Sequence, residues 1–130
     1  MKQDPLVVLL VDDDEGLASA TERLLSSHGM QVTRTATPLG ASNLARRLRP
    51  DIVLLDVELP ALRGDALVGL LRKSIPTTTR IVLYSSHDEA TLKGLARSTG
   101  ADGWISKSVD SDTMARYLTR VVRLSPASPA

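Results

Sequence analysis

The sequence predicts a doubly wound α/β domain, a parallel sheet with helices on both faces, and three observations carry that prediction. Short continuous apolar runs at Leu6 to Val11, Ile52 to Leu55 and Ile81 to Leu83 are too short for ordinary helices and suit strands buried on both faces. These runs alternate with segments of helical period about three turns long, the mark of βαβ units with right-handed crossovers. The runs also end in polar, reactive groups, and open α/β sheets bind ligands beyond the carboxyl ends of their strands.

The bulk composition narrows the function classes. At 130 residues, with 42% hydrophobic and 24% charged residues, the chain is sized and composed as one soluble domain. A net charge of +1 argues against broad electrostatic binding of nucleic acid. The Arg46, Arg47 and Arg49 cluster has no interleaved aromatics and reads as a solvated helix end. The absence of cysteine removes disulfides, thiolate chemistry and Cys-based metal sites. No signal peptide is visible, and no apolar stretch approaches the ~20 residues of a membrane helix, so a cytoplasmic protein without membrane contact is expected. Trp104, Tyr84 and Tyr117 are the only aromatics, which leaves the core to Leu, Val, Ile and Ala.

The elements follow in order. The first strand, Leu6 to Val11, ends in Asp12, Asp13, Asp14 and Glu15, and this acid suits the start of the next helix. Asp14 is its expected N-cap, since three adjacent side chains cannot all face one site. Leu17, Ala20, Leu24, Leu25 and His28 are spaced as its apolar stripe, with Gly29 as its stop and His28 as a helix-end residue rather than a ligand. Met30 to Ala36 alternates weakly and reads as a short edge strand. Pro38 opens a second helix with Ala41, Leu44, Ala45 and Leu48 inward, ending before Pro50. The third strand carries Asp56 at its end, and Pro60 to Gly64 is a loop. The following helix has Ala66, Leu67, Leu70 and Leu71 on one side and stops near Pro76. Arg80 to Tyr84 is the fourth strand. Asp88 caps a helix with Leu92, Leu95 and Ala96 that ends at Gly100. Gly103 to Ser106 is a short fifth strand. The last helix has the clearest period, at Met114, Tyr117, Leu118, Val121 and Val122. Residues 1–124 are thus expected as one domain, and the Pro/Ser-rich residues 125–130 as a tail or the start of a linker.

In a parallel sheet the strand ends share one rim. Asp12 and Asp13, Asp56, Ser85 and Lys107 therefore meet there: three carboxylates, a hydroxyl and an ammonium. Left alone, the carboxylates repel and at least one pKa rises. Oxygen-only ligands favour a hard divalent cation, Mg²⁺ above others. The chemistry implied is phosphoryl transfer, with Asp56 as nucleophile, Lys107 neutralising phosphoryl oxygens and Ser85 donating a hydrogen bond. Ser85 is preferred over Ser86 because it directly follows the apolar run.

Val11-Asp12-Asp13, Leu55-Asp56-Val57-Glu58-Leu59-Pro60 with Gly64, Ser85-Ser86, and Gly100-Ala-Asp-Gly-Trp-Ile-Ser-Lys107 together resemble the receiver domain of two-component response regulators. The likeness extends from Leu6 to about Arg123. It implies a flavodoxin-like three-layer sandwich with sheet order 2-1-3-4-5. It further implies a phosphoryl group accepted on Asp56 from a histidine kinase or phosphotransfer protein. By the same resemblance Asp13 and Asp56 ligate Mg²⁺ directly, the backbone carbonyl of Glu58 is a further ligand, and Asp12 acts through water. Ser85 falls at the switch hydroxyl and Lys107 at the phosphate-contacting lysine. Glu58 and His87 stand where the family tunes access of water to the phosphoryl group, and a plain loop role is equally open for both.

The chain departs from the family pattern twice. Ser108 stands where the family often has a proline that is commonly preceded by a cis bond, so the Lys107–Ser108 bond is open to a trans or a strained geometry. Trp104 takes the place of the usual switch Tyr or Phe. The expected output is a population shift at the face of the fourth helix, fifth strand and last helix, with Lys93, Arg97, Trp104, Arg116 and Tyr117 as contact residues. Two other classes compete: a docking module unregulated by phosphorylation, and a phosphatase with an Asp nucleophile. Retention of the full acidic set and the lysine weighs against the first, and the short loops leave no substrate pocket for the second. No nucleic-acid-binding helix-turn-helix is present in the sequence, and a weak dimer through the last helix is compatible with it but not required. The protein would catalyse only its own phosphorylation and slow dephosphorylation.

Overall fold

The computed structural model describes residues 5–58, 64–86 and 88–123. The Leu59–Arg63 part of the loop, His87 and the 125–130 tail lie outside them. The elements are β1 (Val7–Val11), α1 (Glu15–Ser27), β2 (Gln31–Thr35), α2 (Pro38–Leu48), β3 (Ile52–Asp56), α3 (Gly64–Ser74), β4 (Arg80–Ser85), α4 (Glu89–Thr99), β5 (Gly103–Ser106) and α5 (Ser111–Arg123). The strands form one parallel sheet in the order β2-β1-β3-β4-β5.

Strand side chains alternate between two cores. Val8, Leu10, Ile52, Leu54, Val82, Tyr84 and Ile105 face α1 and α5, while Leu9, Val11, Val53, Leu55, Ile81 and Leu83 face α2, α3 and α4. Every residue of the central strands β3 and β4 is buried, as expected where both faces of a parallel sheet are covered. β2 at the edge is mostly half-exposed.

The caps act as the residue types suggest. Asp14 and Asp88 each accept a backbone N–H three residues on, from Leu17 and Thr91. Gly100 ends α4 in the left-handed region at φ 77°. Among the described residues no peptide bond is cis, so Lys107–Ser108 is trans.

Two apolar stripes differ from the sequence reading. α1 buries Ala18, Thr21 and Leu25, while Leu17 and Leu24 are exposed, Leu24 by 47%. α3 buries Leu67, Val68 and Leu71 and leaves Ala66 and Leu70 outside. The exposed leucines, Leu17 and Leu24 in α1 and Leu70 in α3, lie on the flank of a contact face that includes Leu25 in α1 and Leu67 and Leu71 in α3. In α1, Ala18 and Thr21 allow close approach to a sheet already rich in Leu and Val, and Leu25 packs on the same face toward the end of the helix.

Gly103 is required by packing rather than by backbone conformation. A Cβ there would stand 2.2 Å from the Tyr117 hydroxyl and 3.3 Å from its ring. That hydroxyl accepts the backbone N–H of Trp104 at 3.0 Å. Gly103→Ala is expected to push the ring away, break this bond and cost about 1–2 kcal/mol of stability. Denaturant unfolding read with Trp104 fluorescence checks it; an unchanged midpoint would count against the packing account.

Candidate functional site

Asp12, Asp13, Asp56, Ser85 and Lys107 come together at the carboxyl rim of the sheet. Asp56 ends β3 and is 2% exposed; Asp12 follows β1 and is 3% exposed. Asp13 projects outward at the same rim, and the three carboxylates present oxygens all within 4.8 Å of one another. Lys107 follows β5, its side chain only 13% exposed, with Nζ 3.3 Å from Asp56 Oδ2 and 3.8 Å from Asp12 Oδ2. Ser85 is fully buried at the end of β4, whereas Ser86 is exposed.

The local chain fixes these groups. The Glu58 N–H donates to Asp56 Oδ1 at 2.9 Å, a turn that orients the carboxylate from two residues on. The Asp14 N–H holds Asp12 Oδ1 in the same way, also at 2.9 Å. The Lys107 N–H donates to the Ser85 carbonyl at 2.9 Å, so the last turn of the β4–β5 ladder delivers the lysine. Ser85 Oγ donates to Glu58 Oε1 at 3.3 Å. Beyond Lys107, the Ser106 and Ser108 hydroxyls pair at 2.7 Å and Ser106 Oγ accepts the Ser108 N–H at 3.1 Å.

Burial dominates the electrostatics. Loss of water pushes the Asp56 carboxyl up to about 6, against the opposing pull of the Glu58 N–H and the Lys107 charge; the neighbouring Asp12 charge adds to the rise. The site therefore carries surplus negative charge in a dry place. Among the described residues the metal-ligating group at this rim is three carboxylates, the donor set of a hard divalent cation, and these residues fit Mg²⁺.

The sequence reading missed Tyr84. It is buried in β4, and its hydroxyl donates to Asp12 Oδ2. Burial and that bond both push the phenol pKa upward, so it remains a donor. Its ring also lies beneath Lys107, with Nζ 4.8 Å from the centroid. The functional contact of Glu58 seen here is its carboxylate on Ser85 and its N–H on Asp56.

The expected contact residues divide. Trp104, Arg116 and Tyr117, with Ser106 and Arg120, line a groove of about 690 Å³ between β5 and α5. Lys93 and Arg97 are exposed on α4 and are not among the groove's lining residues, although Glu89 at the start of α4 is. They follow the solvent side of the helix whose inner face carries Leu92 and Ala96.

Residues 8–119 match the family model of the response regulator receiver domain. The chain belongs to that family. Among similar proteins, protein PilH of Pseudomonas aeruginosa is 28% identical over 116 residues, covering 88% of this chain and 96% of PilH. The transcriptional regulatory protein CseB of Streptomyces coelicolor is 34% identical over 122 residues, covering 92% of this chain and 50% of CseB. The chain thus spans nearly all of the first and about half of the second. The chemotaxis response regulator CheY4 of Vibrio cholerae superposes with a TM-score of 0.80 at 27% identity, covering 90% of this receiver and 98% of CheY4. Receiver domains generally bind Mg²⁺ in an acidic pocket, and this receiver carries a cluster of Asp12, Asp13 and Asp56.

Asp56 ionises at a cost to folding. Burial pushes its carboxyl up to about 6 from the ordinary 3.8, so the folded state binds more protons between those values and loses stability as pH rises from ~4 to ~6. Asp56→Asn, which keeps an acceptor for the Glu58 N–H, is expected to stabilise the metal-free protein at pH 7.5 by up to about 3 kcal/mol and to have almost no effect near pH 4. Urea unfolding in a chelator at the two pH values checks it. A gain that does not change with pH would rule out this electrostatic origin.

Proposed function

We propose that this receiver is a phosphorylation-dependent signalling switch that accepts a phosphoryl group on Asp56 from a histidine kinase or phosphotransfer protein. The observation that carries this reading is the buried Asp56 carboxylate with Lys107 Nζ at 3.3 Å, inside a three-carboxylate cluster. Asp12, Asp13, Asp56 and the Glu58 carbonyl would hold Mg²⁺. When bound, the ion neutralises the acidic cluster and the phosphoryl oxygens.

The chain's own groups do the rest. An oxygen lone pair of ionised Asp56 forms the new bond to phosphorus as the phosphorus–nitrogen bond of phosphohistidine breaks, and that electron pair leaves on the imidazole, which takes up a proton. The Glu58 N–H holds one Asp56 oxygen, leaving the other facing the Lys107 ammonium. Lys107 then balances charge on the transferring group. The Ser85 hydroxyl, now donating to Glu58, would turn its hydrogen toward a phosphoryl oxygen. Ser85 shares with Trp104 the sheet face that packs on α4, so its movement biases the Trp104 and Tyr117 groove of β5 and α5 as the output surface. Lys93 and Arg97 extend that surface along α4.

The same reading takes residues 1–124 as the receiver and 125–130 as a tail or linker, and places the protein in the cytoplasm with protein rather than nucleic-acid partners. No described helix is long and apolar enough to cross a membrane.

Beryllofluoride, a mimic of aspartyl phosphate, is expected to change Trp104 fluorescence saturably in the presence of Mg²⁺ in wild type and not in Asp56→Asn. Intact mass after incubation with a small acyl phosphate should show one added phosphoryl group. If no adduct forms at any Mg²⁺ concentration, the switch reading fails and the docking-module reading replaces it.

A further inference from the structure

We propose that Tyr84 is a positioning residue of the acidic site, acting on Asp12 through its hydroxyl and on Lys107 through its ring. The inference rests on the reading of the cluster as a Mg²⁺-binding phosphoacceptor site.

The topology makes the contact unusual. β4 and β1 are not neighbours; β3 lies between them. Tyr84 sits in register beside Asp56 of β3, yet its hydroxyl reaches the carboxylate that follows β1. Two strand spacings separate those chains, about 10 Å. Val8, Leu10 and Asp12 on one strand and Val82 and Tyr84 on the other point to the same face of the sheet, so a long side chain can lie across β3 and meet Asp12. A leucine or valine at position 84 would fill the core and leave Asp12 without this donor.

The consequence for the site follows from the number of acceptor positions. A carboxylate offers about four lone-pair directions. On Asp12 one is taken by the Asp14 N–H at Oδ1 and one by the Tyr84 hydroxyl at Oδ2, which fixes where the remaining ones point. The phenol also occupies the oxygen nearest Lys107. The ammonium stands 3.8 Å from Asp12 but 3.3 Å from Asp56, with the Tyr84 ring 4.8 Å from it. Tyr84 thus supports an arrangement in which the lysine serves Asp56 and the free side of Asp12 serves the cation. Without the hydroxyl, Asp12 Oδ2 is free to close on Lys107, which turns its lone pairs from the rim and draws the lysine away from Asp56. Partners of this outer kind typically alter metal affinity ten- to a hundredfold.

Tyr84→Phe keeps the buried ring and removes only the hydroxyl. Calorimetric titration with MgCl₂ alone is expected to show affinity about tenfold weaker than wild type, and the rise in melting temperature produced by Mg²⁺ should shrink accordingly. Thr79→Val removes another buried hydroxyl, which donates to the Pro50 carbonyl at 2.7 Å at the opposite end of the sheet. It should lower stability and leave Mg²⁺ affinity unchanged. If Tyr84→Phe binds Mg²⁺ as tightly as wild type or more tightly, the positioning role is overturned, whatever its effect on stability. If wild type binds no Mg²⁺, or binds it equally well after Asp13→Ala, the acidic-site reading itself fails and this inference with it.

Discussion

The arrangement depends on one constraint: the Asp56 carboxyl lies where water barely reaches. β3 is apolar along its length and covered on both faces, so the acid at its end is carried into the interior by the same burial that holds the sheet together. The neighbouring groups answer that charge. The Glu58 N–H and the Lys107 ammonium oppose the rise in its pKa, and the Asp12 charge adds to it. Asp12 is itself held by the Asp14 N–H and by Tyr84. The rim is therefore a place where the fold retains unfavourable electrostatics that a cation would relieve. Local violation of the polar-outside pattern, supported by surrounding structure, is what a functional site looks like in physical terms.

Much of the fold was legible because strong periodic signals coincided with punctuation. The three apolar runs, the Asp14 and Asp88 caps, Pro38 and Gly100 bound their elements closely to the observed limits. Helix orientation was less legible. Leu17, Leu24 and Leu70 attract attention by size, but the lines of contact run through Ala18, Thr21 and Val68, and residue type alone does not give the rotation of a helix on a sheet. Of the site, the strand-end rule alone brings Asp12, Asp13, Asp56, Ser85 and Lys107 to one rim. Tyr84 escaped because an aromatic in a buried strand satisfies the core pattern completely, and its bond spans 72 residues with no spacing to betray it. The Ser85–Glu58 contact escaped for a related reason: it joins two loop-proximal side chains 27 residues apart.

The path from rim to surface is short and mostly backbone. Ser85 presents its hydroxyl to Glu58 and its carbonyl to the Lys107 N–H, so one residue touches both the loop after β3 and the turn after β5. That turn is closed by the Ser106–Ser108 hydroxyl pair rather than by a proline ring. Trp104 lies between, half-buried against the core that faces α2, α3 and α4 on one side and open to the groove on the other. A displacement at Ser85 therefore has few parts to move before it reaches exposed side chains.

The Tyr117 hydroxyl on the Trp104 N–H has a consequence for how any neighbour can attach. β5 is an outer strand, and an outer strand with free amides is a template on which another chain can zip up by main-chain pairing. Here a phenol from α5 occupies one of those amides and its ring covers Gly103, so extension of the sheet is obstructed along the margin that borders the groove. A molecule approaching from that side has to read side-chain shape and charge, whereas β2 at the far margin carries no such plug from the last helix. The tyrosine thus separates recognition from polymerisation on the face where the two would otherwise compete.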